Sequence, residues 1–206
     1  MAERRRPETR AERQARRAEI DDPEVVLAAG LRFLEARSRS VAEVRRRLAE
    51  AGYRAELIDG AITRLTELGM LDDAAFASQW VESRDRAHPR GEHALIIELR
   101  QKGIDAPTIA ATLKARREAA VRWEDAPAGA PSRADADAPA DVPVSPDLTA
   151  ARNLLERQRR MLLRVADPRA RRQKAYALLA RNGFDPETCR HVAAEFVSGT
   201  IEAAED

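Results

Sequence analysis

The chain is 206 residues long, enough for one extended domain or two small ones. Apolar residues make up 44% but aromatics only 4%, and the strong helix formers Ala, Leu, Arg and Glu dominate, which argues against a strand-rich fold. A formal net charge of +1 argues against a uniformly basic protein that coats nucleic acid. No apolar run approaches the ~18 residues of a bilayer span, and 1–17 is polar where a signal peptide would be apolar. A cytoplasmic protein with no membrane contact is expected. The single cysteine, Cys189, cannot form an intrachain disulfide framework or a zinc cluster, and packing is its expected role.

In chain order, residues 1–22 form an Arg- and Glu-rich arm with too little apolar surface to anchor it. It can be a frayed helix or a disordered segment, and no fold is assigned to it. A first repeat is expected over 23–70. Leu27, Leu31 and Leu34 mark one face of its first helix. Ser40 with Glu43 has the spacing of a capping box, and Val41, Val44 and Leu48 follow on one face until Gly52 closes the helix. A third helix carries Ile58, Ile62 and Leu65 and stops at Gly69.

The same phrase then recurs. Leu48, Gly52, Tyr53, Ile58 and Ile62 correspond, 51 positions later, to Leu99, Gly103, Ile104, Ile109 and Leu113. A further 80 positions on stand Leu179, Gly183, Phe184, Cys189 and Ala193. Asp105 with Pro107 and Asp185 with Pro186 are acidic caps with prolines in the first turn. A second repeat over 71–122 and a third over 147–202 follow, with an acidic tail at 203–206. Between them 123–146, rich in Pro, Ala and Asp and without apolar period, reads as a flexible linker. The expected fold is all-α, an elongated, curved solenoid of three tandem three-helix repeats.

Candidate chemistry is sparse. Asp72 and Asp73 could form a carboxylate pair, but capping of the helix that carries Phe76 and Trp80 is the better reading. His88 and His93 are five apart around Pro89 and Gly91, not at the i, i+4 spacing of a zinc pair. Cys189 takes the slot of Ile58 and Ile109, a core position without an activating base. Phe76 and Trp80 read as core, not as a base-stacking platform. No phosphate loop or nucleophile elbow is present. No cofactor, no metal site and no catalytic residue is expected, and an enzyme is not.

Arginine is the remaining signal. The segment 152–181 holds ten basic residues, nine Arg and Lys174, against Glu156 and Asp167. Its basic members include Arg157, Arg159, Arg160, Arg164, Arg169, Arg171 and Arg172. Arg45, Arg46 and Arg47, lying between the core positions Val44 and Leu48, must point largely to solvent. Two readings stay open: a solvated face in a chain with 33 Arg and three Lys, or a partner-binding edge.

The residues Ser40, Val44, Arg47, Leu48 and Gly52 are followed by Leu68, Gly69, Met70, Leu71, Asp72, Asp73, Phe76 and Ala77. Arg84, Gly91 and the run Glu98, Leu99, Arg100, Gln101, Lys102, Gly103, Ile104 continue the text. In that order and spacing they resemble the RecX family, and Ala180, Arg181, Asn182, Gly183 and Phe184 resemble its closing repeat. The likeness covers roughly two thirds of the chain. It implies a non-enzymatic monomer that binds RecA recombinase filaments on single-stranded DNA and restrains recombinase, ATPase and coprotease activity in DNA repair and the SOS response. The candidate contacts with RecA or DNA are Arg45, Arg46, Arg47, Arg171 and Arg172. A helical-repeat protein that binds DNA directly, without a recombinase, is the alternative.

Overall fold

The computed structural model describes residues 8–124 and 145–205. Within these residues every regular element is a helix. α1 (Arg10–Ala18) precedes α2 (Pro23–Leu34), α3 (Val41–Ala51) and α4 (Ala55–Glu67). A second triplet is α5 (Asp73–Ala87), α6 (Glu92–Gln101) and α7 (Ala106–Glu124). The third has its first helix broken at Gln158 into α8 (Pro146–Arg157) and α9 (Arg159–Leu163), followed by α10 (Pro168–Arg181) and α11 (Pro186–Glu205). The fold is all-α and consists of three three-helix domains. α7 and α8 take in both ends of the expected linker 123–146, whose residues 125–144 lie outside those described. α11 likewise extends into the expected tail 203–206.

The starts and stops follow local chemistry. Asp22, Ser145 and Asp167 accept amide hydrogen bonds at the starts of α2, α8 and α10, each with proline at the first helical position, where a missing N–H costs nothing. Asp185 does the same before Pro186, accepting from Glu187 and Thr188, both at 2.9 Å. Burial raises its pKa, but these bonds outweigh it and hold the carboxyl below its ordinary range. At the other ends, Gly52 (φ 100°) and Gly183 (φ 81°) adopt the left-handed conformation. Tyr53 N–H then reaches back to the Leu48 carbonyl and Phe184 N–H to that of Leu179, the closing bond of a Schellman turn.

The chain divides into two compact units. The first comprises Met1–Ala77 with Arg100–Asp105. Its core is Val26, Val44, Leu48, Ile58, Ala61, Ile62, Leu65 and Leu71. α2 differs from the expected face. Val26 and Gly30 are the buried positions and Leu31 is exposed, because α2 meets α4 so closely at Gly30 that a Cβ there would lie 2.9 Å from Leu65. The Ser40 and Glu43 side chains of the expected capping box also reach beyond α3. The Ser40 hydroxyl accepts from Glu43 N–H and donates to the Lys102 carbonyl at 2.6 Å, while the Glu43 carboxylate turns to Lys102 at 2.8 Å. Asp72 caps α5 through the amides of Ala74 and Ala75, as expected. Asp73 instead accepts from Val41 N–H at 2.9 Å, joining the start of α5 to the start of α3.

The N-terminal arm, given no fold from its sequence, contains α1. Its capping box of Thr9 and Glu12 is complete. α1 buries no residue of its own and is held through main-chain carbonyls at the end of α3. Gln14 donates to Glu50 (2.8 Å) and Arg17 to Ala51 (3.3 Å), and the Arg17 guanidinium stands 5.6 Å from the Tyr53 ring.

The second unit comprises Ser78–Leu99 and Ala106–Asp206. Its largest core contains Leu148, Leu155, Leu162, Leu179, Phe184, Cys189 and Val192. An ion triad braces it. The buried Arg116 guanidinium reaches both Asp85 oxygens (2.7 and 2.9 Å) and Asp147 (2.6 Å), while Asp147 also accepts Glu92 N–H (2.9 Å). A second junction is backbone on backbone. Gly91 N–H donates to the Asn182 carbonyl at 3.0 Å, and a Cβ on Gly91 would fall 2.2 Å from the Gly183 oxygen.

Candidate partner-binding surfaces

In the first unit Val44 and Leu48 are buried, which turns the intervening Arg45, Arg46 and Arg47 to solvent. Arg45 pairs with Asp59 of α4, and since both side chains are about half exposed the pair contributes little stability. Arg47 stands 5.8 Å from the Phe33 ring and Arg39 4.4 Å from the same ring. The Arg39 Nε is buried and without a partner among the described residues. Arg46 is exposed, with no ionic partner among the described residues. Phe33 and Arg39 were not singled out from sequence, and the Arg39, Phe33 and Arg47 arrangement forms only when α2 and α3 pack together.

In the second unit the arginines of the third domain separate into two groups. Arg171 is turned inward. Its Nε donates to the Val165 carbonyl (3.1 Å) and its two terminal nitrogens to Thr200 Oγ1 (3.0 Å) and the Ala166 carbonyl (3.4 Å). It is a brace between α10, the turn before it and α11. Arg172 is exposed and lines a shallow groove of about 340 Å³ between α10 and α11. The other lining residues are Arg169, Gln173, Tyr176, Arg190 and Ala193. Arg169, Arg172, Gln173 and Tyr176 are spaced i, i+3, i+4 and i+7, one face of α10. Arg190 and Tyr176 were not picked out from sequence: the Arg172 to Tyr176 spacing carried a signal, whereas Arg190 arrives from a different helix.

The remaining candidates sit where packing put them. Trp80 is half-buried, donating from Nε1 to Glu98 at 2.8 Å, and the same oxygen accepts from Arg84 at 2.7 Å. Phe76 is buried. His88 and His93 are exposed. Cys189 is fully buried, and burial, followed by the neighbouring Asp185 charge, pushes its thiol up to about 11. Among the described residues no three His, Cys, Asp or Glu side chains are grouped to hold a metal ion, and no helix is long and apolar enough to cross a membrane.

Three tandem helical triplets with arginine edges match one family in every part. Family models for the first, second and third three-helix domains of RecX match residues 27–65, 72–113 and 146–192. The chain belongs to the RecX family. Regulatory protein RecX of Mycolicibacterium smegmatis is 42% identical over 83 residues, which are 40% of this chain and 44% of that relative. The RecX of Mycobacteroides abscessus is 43% identical over 83 residues, 40% of this chain and 41% of the relative. The aligned stretch thus spans less than half the length of these curated relatives. The crystal structure of RecX from Lactobacillus salivarius superposes with a TM-score of 0.64 at 18% identity, covering 85% of this chain and 97% of that one. A second RecX crystal structure gives 0.60 at 18% identity, covering 89% and 72%. At such identity these two RecX structures bear on the fold alone.

Proposed function

We propose that this RecX-family chain binds RecA filaments on single-stranded DNA in the cytoplasm, as a monomer and without catalysing a reaction. It restrains filament growth, strand exchange, ATP hydrolysis and coprotease activity. The observation that carries this reading is the match of all three three-helix domains to RecX. Repeats in series suit a filament, because several weak contacts made by one chain add through effective concentration. Arg45, Arg46, Arg47 and Arg172 are the proposed contacts with acidic protein surface or phosphate, and Arg171 positions its neighbours. Contacts of this kind weaken as salt rises.

The test compares the binding of labelled single-stranded DNA, bare and RecA-coated, at matched ionic strength. Preference for the coated strand supports the reading. Equal or stronger binding to bare DNA favours direct DNA recognition instead, a second reading that the groove at Tyr176 gives some weight.

A further inference from the structure

The groove between α10 and α11 occupies a special place in the repeat pattern. In the first unit the start of α3 receives the glycine that ends α6. The Ser40 hydroxyl meets the Lys102 carbonyl at 2.6 Å, and a Cβ on Gly103 would lie 2.3 Å from that of Ala42. In the second unit the start of α6 receives the glycine that ends α10. Gly91 meets Asn182 and Gly183, and a Cβ on Gly183 would lie 2.4 Å from that of Ala94. Small residues on the receiving face make both approaches possible. The repeat offsets place Arg171 at the position of Ser40 and Gly91, with Arg172, Gln173 and Lys174 beside it. Long cationic and polar side chains thus stand where the other two triplets carry a small residue, and among the described residues no glycine packs against this start of α10.

A face rebuilt only for solubility would carry both signs of charge. Elsewhere in this unit arginines do have acidic neighbours: Arg152 pairs with Glu195 at 2.9 Å, Arg159 with Glu156 at 3.2 Å and Arg116 with Asp85 and Asp147. Arg169, Arg172 and Arg190 have no carboxylate partner among the residues whose side chains are described, and they line the groove together with an apolar floor of half-buried Tyr176 and buried Ala193. Carboxylate side chains of an acidic peptide would satisfy the guanidiniums and leave that floor uncovered. A nucleobase covers it, and the adjoining phosphates meet the guanidiniums.

We propose that this groove is a binding site for single-stranded nucleic acid, in which Tyr176 stacks one base and Arg169, Arg172 and Arg190 hold the flanking phosphates. Gln173 supplies a hydrogen-bonding edge. The site deepens the proposed function by naming the surface that meets the DNA strand. Its test needs no recombinase, so the two proposals fail separately.

The experiment is fluorescence anisotropy of a short labelled oligothymidylate with the full chain over a series of salt concentrations. The exposed Arg172→Glu and Arg190→Glu variants are expected to bind at least about 10-fold more weakly. Alanine at either position is expected to lower the slope of log affinity against log salt by about 0.7. Tyr176→Phe should bind like wild type, whereas Tyr176→Ala should lose about 5- to 150-fold. Tyr176 packs against the third-domain core, so its variants count only where circular dichroism shows a wild-type melt, and the arginine variants carry the test otherwise. Arg64→Glu, at an exposed α4 position of the other unit that no proposed contact uses, should leave oligothymidylate binding nearly unchanged. Wild-type affinity in both glutamate variants would overturn the proposal. So would displacement of the oligonucleotide by polyglutamate as readily as by unlabelled oligothymidylate, or failure of the wild-type chain to bind it at low salt.

Discussion

Gly91→Ala adds one methyl group at the tightest point in the second unit. The new Cβ would stand 2.2 Å from the Gly183 oxygen, 2.4 Å from its carbonyl carbon and 2.4 Å from Phe184 N, all backbone atoms that no rotamer change can move aside. Ordinary contact begins near 3.4 Å, so the two backbones must part by roughly an ångström. That separation breaks the 3.0 Å bond from Gly91 N–H to Asn182 and disturbs the Arg90 bond to the Asn182 side chain. Overpacking costs about 1–3 kcal/mol and the lost backbone bond about 1 kcal/mol, so a loss of about 2–4 kcal/mol is expected. For a chain of this size that lowers Tm by roughly 5–15 °C. Gly60→Ala is the internal control. Gly60 lies within α4 with nothing within 4 Å of an added Cβ, and the same change there should stabilise by about 0.5–1 kcal/mol through helix propensity. Thermal and urea denaturation followed by circular dichroism measure both. If Gly91→Ala melts with wild type, the backbone junction between Gly91 and Gly183 is not as close as described.

Four further outcomes are expected. Arg116→Ala leaves the buried Asp147 carboxylate and its neighbour Asp85 without their counter-ion and should cost about 3–5 kcal/mol in urea denaturation. At Glu43 burial raises the pKa, but Lys102, Ser40 N–H and Arg37 outweigh it and the carboxyl is held below its ordinary range. This contribution to stability is present above the ordinary Glu range and is lost as pH falls through the lowered value. Lys102→Met should therefore destabilise at neutral pH, and the gap from wild type should narrow in acid. Cys189, with its thiol near 11 and no exposed surface, should resist iodoacetamide in the folded chain and react at the rate of an ordinary thiol in denaturant. Deleting residues 1–19 removes, among the described residues, two side-chain hydrogen bonds and one cation–π contact to the end of α3 but no buried side chain, so a cost of about 1–3 kcal/mol is expected, without loss of the cooperative melt.

Much of the fold was legible because the signals are local. Gly52, Gly103 and Gly183 mark helix ends that need a positive φ, the Asp–Pro pairs mark starts, and repetition at fixed offsets put Cys189 into an isoleucine slot, where it is buried. What escaped depends on contacts between helices. α1 has almost no apolar content and is held through carbonyls of α3, which no periodicity reveals. Asp73 sits beside a cap but serves a helix that begins 32 positions earlier. The pattern Leu27, Leu31, Leu34 is periodic, yet the close approach at Gly30 brings Val26 to the core in place of Leu31. Among the arginines, sequence spacing cannot tell Arg171, fastened by three internal hydrogen bonds, from its neighbour Arg172, which faces the groove. Arg190 joins that groove from α11, so a reading confined to the 152–181 charge cluster could not include it.

The most direct test of regulation through RecA is single-stranded-DNA-dependent ATP hydrolysis by the host recombinase, with this chain added at substoichiometric ratios. The proposed function requires turnover to fall well before one chain is present per recombinase protomer, and Arg46→Glu and Arg172→Glu to need more protein for the same effect. Unchanged turnover across the whole series would contradict it.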